Sequence, residues 1–349
     1  MSVARALALV ALLICTGIAV PFAGGLTSLP AAAQDACAVD GFTDQAIEIM
    51  APASPGGGWD GTAREIQRVL QETGIAPTVS VYNVPGAGGT IGLSQLVNDE
   101  SGNDHQLMVM GLVMVGAIAT NQSPVTLEEV IPIARLTTEW EIIVVPADSE
   151  YQTLDDLLAA FQADPAAISW GGGSAGGTDH LLVGLIAQET GVDPLQVNYI
   201  PFSGGGEALA AILGGQVSAG VSGVGEWQDQ VESGELRALA VSGVDATSAT
   251  PVADGEGSSQ LAPTLQEQGI DLEVANWRGI VAAPGISAES TACLIDLMDQ
   301  MHAAEEWTET LASYGWTDFY LAGDEFGTAI TEEVDRVTPI LIELGLVAE

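Results

Sequence analysis

Gly56, Gly57 and Gly58, followed by Trp59 and Asp60, stand between an apolar run at residues 47–51 and a helical pattern. In that pattern Ala63, Ile66, Val69 and Leu70 share one face, and Gly74 closes it. Strand, glycine loop and helix in this order expose the unpaired N–H groups of a helix's first turn, which together with the helix dipole attract an anion. Glycine also lets the backbone approach that anion closely. The same chemistry recurs three times. Gly86, Ala87, Gly88 and Gly89 follow a strand expected at residues 79–82. Ser174, Gly177, Thr178, Asp179 and His180 lie in the run GGGSAGGTDH, after a strand expected at 167–170. Ser203, Gly204, Gly205 and Gly206 follow a strand expected at 197–200. The units form two pairs, each with the spacing of one strand–helix unit and the next strand. Two similar halves with glycine-lipped helix starts imply one anion held between two domains.

The elements that position these loops follow from periodicity. Strands are expected at residues 105–110, 130–135, 141–145, 217–221, 236–241 and 277–283. Helices are expected at 153–161, capped by Thr153, at 227–232, and as long segments at 287–307 and 324–346. A helix closes at 265–269, and 113–119 reads as a buried helix start or a loop floor. The 287–307 helix turns Cys293, Leu294, Leu297, Met298 and Met301 inward, and the last helix turns Phe326, Ile330, Val334, Val337 and Ile340. Alternating strands and helices argue an α/β fold with ligands at the carboxyl ends of strands. The reading is a two-domain fold whose chain crosses twice, near 135–138 and 245–260. Domain 1 then comprises residues 40–136 and 245–349, and domain 2 residues 137–244.

Residues 1–33 read as a secretory leader: Arg5 at the start, an apolar core at 6–20, and Ala31-Ala32-Ala33 as a cleavage site. A retained anchor is the alternative. No later run has the apolar length of a membrane span. Export would leave Cys37 and Cys293, and an oxidising compartment permits a disulfide between them. Two cysteines so far apart, without a histidine cluster, argue against a metal site, and no cofactor is expected.

The chain contains no lysine, and seven arginines face 47 acidic residues, for a net charge of −40. Such a field repels nucleic acid and anionic membrane surfaces. The apolar content of 47% is too high for disorder. The composition fits a folded protein adapted to high salt, where counterions screen self-repulsion. Stability should therefore rise steeply from dilute buffer to molar salt, and a melting temperature flat across that range would contradict the reading. The same charge means that an anionic ligand must be held by local donors.

The run APASPGGGWDGTAR resembles the first signature of the substrate-binding proteins of tripartite tricarboxylate transporters, and NVPGAGGTIG at residues 83–92 resembles another part of it. GGGSAGGTDHL is similar to the family's second-domain loop, and YIPFSGGGEALAAILGGQV to its next loop and helix. LRALAVSG and NWRGIVAAPGI match the return to the first domain. The resemblance covers nearly the whole chain after the leader, in order. It implies a two-domain periplasmic binding protein that closes over a small carboxylate and delivers it to a membrane permease of one large and one small subunit. It further implies that Gly56 to Asp60, Gly86 to Gly89, Ser174 to His180 and Ser203 to Gly206 grip the carboxylates. A monomer is expected. Many relatives carry Tyr-Lys or Tyr-Arg where this chain has Pro201-Phe202-Ser203, so one cation of the pattern is missing.

Several of these residues admit plainer roles. Asp60 and Thr178 suit helix caps. Trp59 suits packing on the ligand or on a facing loop. His180 suits a structural histidine as well as a ligand contact, and Arg278 suits pairing with an acid. Gly172-Gly173-Ser174-Ala175-Gly176 also fits the G-x-S-x-G elbow of a serine hydrolase, but His180 lies on the helix beside Ser174, the wrong place for a base arriving from a later loop. A solute sensor without a transport role is the other alternative.

Overall fold

The computed structural model describes residues 37–202, 205–243 and 261–348. The leader at 1–33, Ser203, Gly204 and the crossing expected at 245–260 lie outside the described residues. The first glycine unit forms as expected: β1 (Ile47–Ala51) leads to α1 (Gly58–Glu72), whose face of Ala63, Ile66, Val69 and Leu70 is fully buried. Gly74 follows that helix at φ 75°, the left-handed conformation favoured just past a helix end. Next come β2 (Val79–Asn83), α2 (Thr90–Asp99), β3 (Gln106–Gly111) and α3 (Leu112–Thr120). The apolar stretch at 113–119 is thus a helix.

Where two strands were expected, one strand of 16 residues, β4 (Ile131–Pro146), runs unbroken. The polar stretch Thr137-Thr138-Glu139 breaks the apolar pattern but not the backbone ladder. Three further units follow: α4 (Leu154–Ala163), β5 (Ser169–Gly172) and α5 (Thr178–Glu189); β6 (Asn198–Pro201) and α6 (Gly205–Leu213); and β7 (Ala219–Gly223), α7 (Val224–Glu232) and β8 (Leu236–Val241). Thr153 caps α4, its hydroxyl accepting from the Asp156 N–H. The helix end expected at 265–269 is only a short 3-10 turn, Gln266–Gln268. The chain finishes with β9 (Ala275–Ala282), α8 (Ala288–His302), α9 (Glu305–Tyr314), β10 (Thr317–Ala322) and α10 (Gly323–Glu343).

The helix expected at 287–307 is therefore two, broken at Ala303-Ala304, and β10 was not anticipated. Val334 is 38% exposed and leaves the α10 stripe, while Leu341 is fully buried there. Cys37 and Cys293 are joined by a disulfide, which fastens the start of the described chain to α8.

The described strands form one sheet in the order β2-β1-β3-β9-β4-β7-β5-β6, with β8 and β10 also pairing β4. β4 is its seam. Up to Trp140, opposite Ala275, it pairs antiparallel with β9, and from Glu141, opposite Gly223, it pairs with β7. β1 is parallel to β2 and β3, and β5 is parallel to β6 and β7. The glycine loops lie at the carboxyl ends of β1, β2, β5 and β6. Among the described residues no helix is long and apolar enough to cross a membrane.

Candidate functional site

α1 begins at Gly58, with Gly57 as its N-cap. Asp60 is therefore not the cap but lies within the first turn, and it is only 3% exposed. Its carboxylate accepts from the Gly56 N–H at 2.8 Å, from Arg64 Nε at 3.0 Å and from Asn83 Nδ2 at 2.8 Å. Burial pushes this carboxyl up, but the bonds from Arg64, Gly56 and Asn83 outweigh it and hold it at about 2. Asp60 thus folds the loop, and Arg64 pairs with it rather than with Glu65, which Arg68 takes. The Gly57 N–H is engaged as well, donating to Ser54 O at 3.2 Å. Of the five expected donors, those of Gly58, Trp59 and Asp60 have no protein acceptor among the described residues. Asp60→Ala should cost about 2 kcal/mol in denaturant unfolding, since it removes charge-assisted bonds each contributing roughly 1.5–3 kcal/mol. Asp60→Asn, which still accepts, should cost less.

The two first-half loops meet through Trp59. A Cβ on Gly89 would lie 2.7 Å from the Trp59 ring, so this tryptophan packs on a facing loop. Gly86, Ala87, Gly88 and Gly89 all have positive φ, between 48° and 133°. Gly57, by contrast, has φ −80° and nothing nearer than 3.4 Å to an added Cβ, so its backbone does not require glycine. Gly58 does: a Cβ there would lie 2.8 Å from Arg278 Nη2.

On the second half, α5 begins at Thr178 with Gly177 as N-cap, so Thr178 is not the cap. Its hydroxyl is buried and donates to Asn276 Oδ1 at 3.3 Å, which leaves it no proton for a ligand. Asp179 accepts from the Gly173 N–H, as Asp60 does from Gly56. Burial raises its carboxyl, that N–H opposes the rise and Glu226 repulsion adds to it, giving about 7. His180 Nδ1 accepts from the Gly176 N–H at 3.2 Å, and its ring stacks on Tyr199 at 4.0 Å. Burial lowers it to about 4, so it is neutral and structural at ordinary pH. Ser174 is exposed, and no described histidine bonds its hydroxyl. In the fourth loop Gly205 is buried, its N–H held by the Glu226 carboxylate and its carbonyl accepting from Trp227 Nε1 at 3.1 Å, while Gly206 is exposed.

The two halves converge on β9. Asn276 Nδ2 donates to Glu139 Oε1 at 3.3 Å, and Arg278 Nη2 donates to the same oxygen. Contacts thus run from Gly58 at the start of α1, through Arg278, Glu139 and Asn276, to Thr178 at the start of α5. Arg278 also lies over the Trp316 ring, 5.3 Å from its centre. Glu141, two residues along β4 from Glu139, is fully buried, and neither of its carboxyl oxygens has a hydrogen-bond partner among the described residues. Burial, then repulsion from Asp179, Glu139 and Glu226, pushes its carboxyl well up. Glu139, Glu141, Glu226 and Asn276 were not singled out in the sequence. The available signal was two acids, two residues apart, inside a β-branched run.

A family model described as "Tripartite tricarboxylate transporter family receptor" matches residues 62–346. Protein BugT of Bordetella pertussis is 26% identical over 351 residues, covering 99% of each chain. A TctC solute-binding protein from Polaromonas, solved without ligand, is 26% identical with a TM-score of 0.66, covering 86% of this chain and 98% of its own. MatC from Rhodopseudomonas palustris, solved with bound malate, is 20% identical with a TM-score of 0.68, covering 85% and 98%. The matched family is one of transporter receptors, and the Polaromonas protein is a solute-binding protein.

Proposed function

The chain belongs to the tripartite tricarboxylate transporter receptor family, and we propose that it captures a small carboxylate between residues 40–136 with 245–349 on one side and 137–244 on the other. It then delivers the carboxylate to a permease of one large and one small subunit. It works outside the cytoplasmic membrane, after loss of residues 1–33. The observation that carries this reading is the convergence of α1 and α5 on Arg278, Glu139 and Asn276. A helix start with unengaged N–H groups beside a buried guanidinium, as at α1, suits a carboxylate, because charge-assisted bonds there are the strong ones. The binding set is the α1 start (Gly58, Trp59 and Asp60 N–H), the loop Gly86 to Gly89, and Ser174, with Gly206 from the fourth loop. MatC, a protein of the same fold, was solved with malate, a dicarboxylate.

A thermal-shift screen of di- and tricarboxylates and aromatic acids at molar salt tests this. A ligand at a hundred times its Kd stabilises by about 2.7 kcal/mol, a readily measured shift. A folded protein whose melting temperature no carboxylate moves would sink the proposal.

A further inference from the structure

Glu141 stands where β4 changes partners, paired with β9 up to Trp140 and with β7 from Glu141 onward. The crossing expected near residues 135–138 lies in the same strand. The Glu141 backbone is pinned at this seam. Its N–H donates to Ser242 Oγ at 2.9 Å, and its carbonyl accepts from the Ser242 N–H at 2.8 Å. The side chain is fully buried, and neither carboxyl oxygen has a hydrogen-bond partner among the described residues. Glu139 precedes it by two residues, on the same face of β4. Asp179 acts on it from the α5 start, Tyr199 from β6, Glu226 from the α7 start and Arg278 from β9. Arg278 is the one cation among these described groups, and Glu139 holds it. Asp179 and Glu226 accept from glycine loops, at the Gly173 and Gly205 N–H groups. His180 stacks on Tyr199 and is neutral, its Nδ1 occupied by the Gly176 N–H. No His, Cys, Asp or Glu group among the described residues is arranged to hold a metal ion.

An ionised carboxylate buried without a donor or a counter-charge of its own costs far more than a protonated one. Glu141 therefore carries a proton in this conformation, in keeping with the burial and repulsion that push its carboxyl well up. The two halves touch beside it. Thr178 donates to Asn276, and a Cβ on Gly116 of α3 would strike the Gly176 carbonyl. We propose that Glu141 is a proton-binding site whose occupancy favours closure of the two halves, so that solute capture is coupled to proton uptake. Parting the contacts at the seam lets water reach Glu141 and take its proton. The ionised carboxyl then repels Glu139, Asp179 and Glu226, and closing reverses each step. The carboxyl is raised only in the closed form, so closure is favoured at low pH and weakens as pH rises through the closed-form value. With one proton, the closing constant falls about tenfold per pH unit in that window. This rests on the two-halved receptor reading and holds whatever the class of solute.

X-ray scattering from the protein alone at molar salt tests it, at about pH 5 and about pH 8, either side of the value of about 7 to which Asp179 is pushed. The wild type should have the larger radius of gyration at the higher pH, with cooperative melting at both. Glu141→Gln fills the same space and cannot ionise, so it should keep the compact radius at both pH values. Glu226→Gln is the second variant. Its amide oxygen can still accept from Gly205 and Ser222, and with one repelling charge gone the expansion should shrink. A wild-type radius that is the same at the two pH values would overturn the inference. So would a cooperatively melting Glu141→Gln or Glu226→Gln protein that expands as far as the wild type. No solute is present in this experiment, so its failure and a failure of the carboxylate screen are read separately.

Discussion

Replacing Arg278 by alanine should cost about 3–5 kcal/mol of stability, measured by denaturant unfolding at molar salt. Arg278 is 6% exposed and Glu139 5%. Removing one partner of a buried ion pair leaves the other charge uncompensated, and that penalty is of this size. After the substitution Glu139 keeps the Asn276 amide as its described donor, and Gly58 loses the guanidinium packed over it. Glu139→Gln should cost less, because Glu226 and Glu141 also act on the guanidinium charge. Replacing both residues by methionine should recover much of the loss, since a well-packed apolar pair often matches a buried ion pair. A loss below about 1 kcal/mol for Arg278→Ala would mean that the pair behaves like a surface one.

The second large effect is an unusual dependence on pH. Asp179, Glu141 and Glu226 are all pushed up on folding, Asp179 from 3.8 to about 7. Between the unfolded and folded values the native state binds more protons than the unfolded chain, so stability falls as pH rises through that window. Asp60 works in the opposite sense. Held at about 2 against 3.8, its contribution is present above the unfolded value and is lost as pH falls towards 2. Stability should therefore peak near pH 4–5, below the usual range of about 5 to 8. Each unit of displacement is worth about 1.4 kcal/mol. Glu141→Gln should flatten the decline above pH 5, which separates the local acids from the general relief of negative charge at low pH. Melting curves at molar salt that peak at pH 7 or above would contradict this electrostatic picture.

The glycine loops were legible because their signals are local. An apolar run, a glycine cluster and a helical stripe sit within about twenty residues, and β1, α1 and α5 appear where they were read. What was missed depends on distant partners. β4 looked like two strands because Thr137, Thr138 and Glu139 interrupt its apolar pattern, yet the ladder with β9 runs through Thr137, Thr138, Glu139 and Trp140. The break between α8 and α9 has no glycine or proline to announce it; Ala303 and Ala304 are good helix formers. β10 is nowhere fully buried and carries Asp318, so it reads as loop until its pairing with β4 is seen.

The site divides in the same way. The described glycine loops stand between strands and helices as read, but the hydroxyl and N–H groups assigned to the ligand are partly engaged by the protein itself. Asp60, Asp179 and Glu226 each close one glycine loop. The pairing of Arg278 with Glu139 joins residues 139 positions apart, and no local pattern identifies that partner.

The most direct test is calorimetric titration of the tightest carboxylate from the screen against wild type and Gly58→Val, at molar salt. Valine at this position would put its Cβ 2.8 Å from Arg278 Nη2 and crowd the start of α1. If the carboxylate is held there, the wild type binds one ligand per chain and the variant loses at least tenfold in affinity, about 1.4 kcal/mol, while still melting cooperatively. Equal affinities in the two proteins would place the ligand away from the α1 start and contradict the account.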